Sequence, residues 1–192
     1  MTTLWIFVYV CRYHHERGGS DESVLYSSLA QKILERLSKK LTRSNYSLES
    51  SLYRKIPYTM AEIYHNKGCF ATETNKPREA LIHHTDFNNL MVTEYPDTFP
   101  SRDMRLAISW NELGTALMLN DEWMAGEECF EKSMSAIKAL ADFDPLQLSL
   151  PLVNIGLAYW LKGDSTKAAD ILLHGLTERE NAFGKDDRDS FM

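Results

Sequence analysis

A five-residue helical signature ending in glycine returns three times, as Tyr64-His65-Asn66-Lys67-Gly68, Trp110-Asn111-Glu112-Leu113-Gly114 and Leu152-Val153-Asn154-Ile155-Gly156. The glycines stand 46 and 42 residues apart. A period in this range, with helical patterning inside it, points to helical hairpins stacked in an array. A glycine inside a helix costs about 1 kcal/mol relative to alanine. Three at one phase therefore imply a packing reason.

Counting each hairpin from Ala61, Ala107 and Ser149 puts these glycines at the eighth position and Ala80, Gly126 and Ala168 at the twentieth. All six are small, as two antiparallel helices in close approach require. The fifteenth positions, Asn75, Asp121 and Gly163, are residue types that tolerate a left-handed backbone where a helix ends. The fourth positions hold Tyr64, Trp110 and Leu152, large groups suited to wedging against a neighbouring helix. The twenty-fourth hold Phe130 and Leu172 as knobs, with His84 as a departure.

A fainter unit leads the chain. Counted from Leu4, it has Cys11, Gly18, Ser23 and Ala30 at the corresponding places. Ser20-Asp21-Glu22-Ser23 supplies capping residues for a helix running to about Arg43, with Val24, Leu25, Leu29, Ile33, Leu34, Leu37 and Leu41 at helical spacing. The predicted organisation is one all-α domain over residues 1–192: a degenerate hairpin 4–43, a connection 44–57, hairpins 58–93, 101–142 and 145–182, and a tail 183–192. Pro57 closes the connection, and Pro96 and Pro100 break the joint before residue 101. Asp144-Pro145 reads as a cap followed by a first-turn proline.

These residues resemble the tetratricopeptide repeat (TPR). The family pairs a large residue with Leu-Gly three residues on, then an aromatic, with alanine and an aromatic on the second helix. Trp110, Leu113, Gly114 and Leu117 with Gly126 and Phe130 follow that pattern, as do Ile155, Gly156, Tyr159 and Ala168. The long period is similar to the variant of kinesin light chains and large fungal TPR proteins, and residues 66–75 resemble the fungal group. Lys67, Ala71, His84 and Cys11 depart from the pattern. The resemblance implies an α-α superhelix of TPR hairpins, acting without catalysis as a protein–protein interaction scaffold. A peptide or helix would lie in the concave groove lined by the first helix of each hairpin. By family analogy the groove residues are Asn66, Asn111, Glu112, Thr115, Met118, Asn154, Leu157 and Trp160. The alternative is a regulatory fragment of a fungal nucleotide-binding TPR receptor that self-associates through the C-terminal end of the array. A metal-dependent enzyme ranks below both.

Charge and chemistry support the non-catalytic reading. The chain carries −6 overall, but residues 1–58 carry +4 and residues 59–192 carry −10. An acidic array is a poor match for nucleic acid or an anionic membrane. No Lys or Arg stands at the groove phases, which excludes the family's basic clamp for carboxylate tails. No P-loop, G-x-G-x-x-G, H-E-x-x-H or G-x-S-x-G occurs, so no cofactor is expected. His65 with Cys69, beside His83-His84, and Cys11-x-x-His14-His15 are candidate metal ligands. The two-residue His65–Cys69 signal falls short of the three or four convergent ligands a transition ion needs and Cys11-x-x-His14-His15 ranks no higher, so no metal is expected. Three scattered cysteines without a CxxC pair suit a reducing cytoplasm. The apolar run Leu4–Val10 is too short to span a bilayer.

Overall fold

The computed structural model describes residues 20–43, 51–94 and 104–184. Expectations placed on Leu4–Gly18, Cys11-x-x-His14-His15, Pro96, Pro100 and the last eight residues lie outside the described residues. Seven α-helices, one 3₁₀ turn and no strand occur among the described residues. The helices are α1 (Ser20–Arg43), α2 (Ser51–Glu73), α3 (Pro77–Glu94), α4 (Arg105–Met118), α5 (Trp123–Lys138), α6 (Ser149–Leu161) and α7 (Ser165–Phe183). Helices α2/α3, α4/α5 and α6/α7 pair as consecutive hairpins. None of the described helices is long and apolar enough to cross a membrane. The chain divides into two compact units, Met1–Glu94 and Tyr95–Met192.

Each hairpin turns at the residue whose chemistry permits it. Asn75, Asp121 and Gly163 have φ of 55°, 65° and 85°, the left-handed region that reverses a chain after a helix. Close approach of the paired helices follows. A methyl built on Gly114 would lie 2.7 Å from the Phe130 ring and 3.0 Å from the Gly126 carbonyl. On Gly156 it would lie 2.5 Å from Leu172 Cγ, and on Gly68 2.6 Å from both nitrogens of His84. The position-eight glycine is thus a socket and the position-twenty-four side chain its knob. His84, a departure in sequence, fills the same place as Phe130 and Leu172.

In the first unit, α1 packs on α2 through Ala30, Leu34, Ile56 and Ile63. Helix α2 begins at Ser51, whereas the connection was expected to run to Pro57. Proline has no N–H for the fourth carbonyl before it, and it disfavours helix at its predecessor. Burial of that predecessor, Ile56, in the α1–α2 cluster offsets the lost bond. Lys67, where an apolar residue was expected, donates from Nζ to Gln31 Oε1 on α1. His84 is buried, and burial holds its pKa down at about 3. The neighbouring His65 and His83 add to this, and a hydrogen bond with the Gly68 backbone opposes it.

In the second unit, two apolar clusters share Met134 and Ile171. One contains Ala107, Ile137, Leu140, Leu148 and Leu152, the other Phe130, Ile155, Tyr159 and Ala168. Ser133 Oγ donates to the Ala107 carbonyl at 2.8 Å, pinning α5 to the start of α4. Asp144 caps the entry to the last hairpin in a reciprocal box with Gln147, and Pro145 opens a 3₁₀ turn that leads into α6. Tyr159 of α6 ties the two hairpins together: its hydroxyl donates to Glu127 of α5 and accepts from Lys167 of α7.

Candidate functional site

Within the second unit, α4 and α6 flank an apolar cavity of about 190 Å³. Thr115, Met118 and Leu119 line it from α4 and its C-cap. Asn154, Leu157, Ala158 and Leu161 line it from α6, and Phe130 contributes from α5. The helical period explains the set: residues 115, 118 and 119 recur on one face of α4, and 154, 157, 158 and 161 on one face of α6. Leu119, Leu157 and Leu161 remain exposed at the rim, where the cavity opens. The knob of the α4/α5 hairpin, Phe130, is also part of its wall.

Above the cavity runs a chain of side-chain amides. Asn154 Nδ2 donates to Asn111 Oδ1 at 2.9 Å and more weakly to Thr115 Oγ1 at 3.5 Å. The Asn111 amide in turn donates to the Glu112 carboxylate. The Thr115 hydroxyl donates to the Asn111 carbonyl at 3.1 Å, so its lone pairs face Asn154. The Asn111 oxygen accepts from Asn154, which leaves its NH₂ for the Glu112 carboxyl. Asn154 then donates inward, and its Oδ1 accepts no hydrogen bond among the described residues. Burial holds the Glu112 carboxyl above the usual carboxylate value, and the Asn111 hydrogen bond works in the opposite sense.

Of the eight groove residues expected from sequence, Thr115, Met118, Asn154 and Leu157 line this cavity. Asn111 is only 2% exposed, and its amide is committed between Asn154 and Glu112. It does not line the cavity. Trp160 is 61% exposed and does not line the cavity, because residue 160 is turned about 100° from its neighbour Leu161 around the helix. Asn66, half-buried on α2, belongs to the other unit and does not line the cavity. Phe130 and Ala158 also line the cavity and were not expected there; Leu119 and Leu161 line it from the thirteenth phase of their hairpins, which family analogy turns inward. His65 of the first unit stacks on Phe87, with ring centroids 5.1 Å apart.

No family model matches the chain, and no curated protein matches it. Solved structures do. BtubC (BKLC) from P. vanneervenii matches with a TM-score of 0.69 at 20% identity, over 96% of this chain and 66% of BtubC. This chain therefore spans about two thirds of BtubC's length. The nearly identical TPR-like repeats of a protein from P. anserina described as a kinesin light chain match with a TM-score of 0.52 at 11% identity, over 94% of this chain and 97% of that one. The likeness at these identities is one of fold: the chain is built of TPR-like helical hairpins of the kind present in a kinesin-light-chain repeat structure.

Proposed function

We propose that this chain is a non-catalytic protein-interaction scaffold that receives a segment of a partner protein in the groove between α4 and α6. The observation that carries this reading is the cavity between the two helices, open and lined by Met118, Leu119, Leu157 and Leu161. Apart from Phe130, its lining residues come from the first helices of successive hairpins and the α4 C-cap, and Leu157 and Leu161 stay in solvent. Leaving several leucines exposed in one place forgoes about 25 cal/mol for every Å² of apolar surface that burial would remove from water. An apolar side chain entering the cavity recovers that term, while the Asn154 oxygen takes one N–H and sets the register.

The test is a selection of twelve-residue peptides by display on the purified chain, followed by methyl NMR of the bound form. A groove ligand shifts the Met118, Leu157 and Leu161 methyls and loses at least about tenfold in affinity with Leu157→Ser, since burying one leucine side chain is worth about 1.5–3 kcal/mol. Selected peptides that shift methyls elsewhere and bind Leu157→Ser unchanged overturn the groove reading.

A further inference from the structure

We infer that the occupant of the α4/α6 groove is a basic segment, presenting one apolar side chain to the cavity with Lys or Arg beside it. This rests on the groove reading above and specifies its ligand. Helix α6 contains no charged residue, and α4 contains only Arg105, in its first turn, and Glu112, one turn before Thr115. At the other end of the cavity, Leu119 is followed by Asp121 and Glu122, both exposed. The polar groups offered to a ligand are therefore acceptors or anions: the Asn154 oxygen in the lining and, just past Leu119 in sequence, the exposed Asp121-Glu122 turn.

The nearest cation after α6 is turned to other work. Lys162 Nζ lies 3.8 Å from Glu127 Oε2 and over the Tyr159 ring, 5.4 Å from its centroid. The cavity also sits at the C-terminal ends of α4 and α6, where aligned peptide dipoles add negative potential. The described residues 104–184 carry 6 Lys/Arg against 12 Asp/Glu, so the net charge of the elements around the groove has the same sign. An acidic segment would be repelled along its whole length, and a basic one drawn in.

Three N-acetylated, C-amidated seven-residue peptides test this, each with a central Leu flanked on both sides by Lys, by Ser or by Glu. Binding is read by methyl NMR titration of Met118, Leu157 and Leu161. Exposed ion pairs contribute about 0.2–1 kcal/mol each, so the Lys peptide should bind at least about tenfold more tightly than the Glu peptide at low salt. Moderate salt should narrow the gap, and Asp121→Asn with Glu122→Lys, which keeps a residue suited to the left-handed turn, should close or reverse it. Leu157→Ser should weaken the Lys peptide, which separates groove binding from general attraction to an acidic protein. Equal binding of the Lys, Ser and Glu peptides at these methyls overturns the basic-segment inference and leaves the groove intact. Lys-peptide binding that ignores Leu157→Ser overturns it as well. No methyl shift with any of the three peptides, or with display-selected ones, overturns the groove reading itself.

Discussion

Two glycines of the last hairpin separate helix propensity from interhelical contact. Gly156 in α6 and Gly175 in α7 are both buried and both inside helices. Replacing either by alanine gains about 1 kcal/mol of backbone propensity. The surroundings differ. The new methyl at 156 would lie 2.5 Å from Leu172 Cγ and 2.6 Å from Cδ2. At 175 the nearest atom is Leu152 Cβ at 3.5 Å, an ordinary carbon–carbon contact. Relieving the clash at 156 requires Leu172 or the helix pair to move by about an ångström, and overpacking of that kind costs about 1–3 kcal/mol. Because the propensity gain is common to both, the stability gap between the two variants equals the steric cost. Gly175→Ala should gain about 1 kcal/mol, whereas Gly156→Ala should be neutral or lose up to about 2 kcal/mol. Urea unfolding reads this as a midpoint gap of about 0.5–1.5 M for an m-value near 2 kcal/mol/M. Adding Leu172→Ala to Gly156→Ala should show a coupling of at least about 0.5 kcal/mol. If Gly156→Ala proves as stable as Gly175→Ala, the knob-and-socket account of the hairpin is wrong.

Acid should loosen the first unit through His84. Its folded pKa of about 3 lies below the unfolded value near 6.5, so its contribution is complete above pH 6.5 and declines as pH falls toward 3. The slope is about 1.4 kcal/mol per pH unit, or about 2 kcal/mol by pH 5; denaturant midpoints at pH 7 and pH 5 should show a loss in wild type larger by about that amount than in His84→Leu, where burial still holds the His83 pKa down. Asn154→Ala should cost about 1–3 kcal/mol even without a ligand, because it leaves the buried Asn111 oxygen without its donor; binding assays on this variant need a folding control by circular dichroism. Tyr159→Phe should cost about 1 kcal/mol by removing the hydroxyl that joins Glu127 to Lys167, measured by thermal unfolding.

The hairpin register was legible in the sequence because it rests on local constraints. A helix crossing without room for a side chain demands Gly or Ala, and a left-handed turn residue favours Asn, Asp or Gly. Both constraints act on single positions and recur at fixed spacing, so Gly114, Gly126 and Asp121 could be placed without coordinates. Thr115, Met118, Asn154 and Leu157 came instead from the TPR resemblance, whose groove phases they occupy, and all four line the cavity. Period assigns a face but not a partner. Only the tertiary structure showed that Asn111 is consumed between Asn154 and Glu112, that Trp160 is turned out of the cavity, and that Phe130 walls it. It also made His84 a knob and let α2 start before Pro57. Each of these depends on which groups from distant parts of the chain meet, and on burial offsetting a local cost. Spacing along one helix carries no record of either.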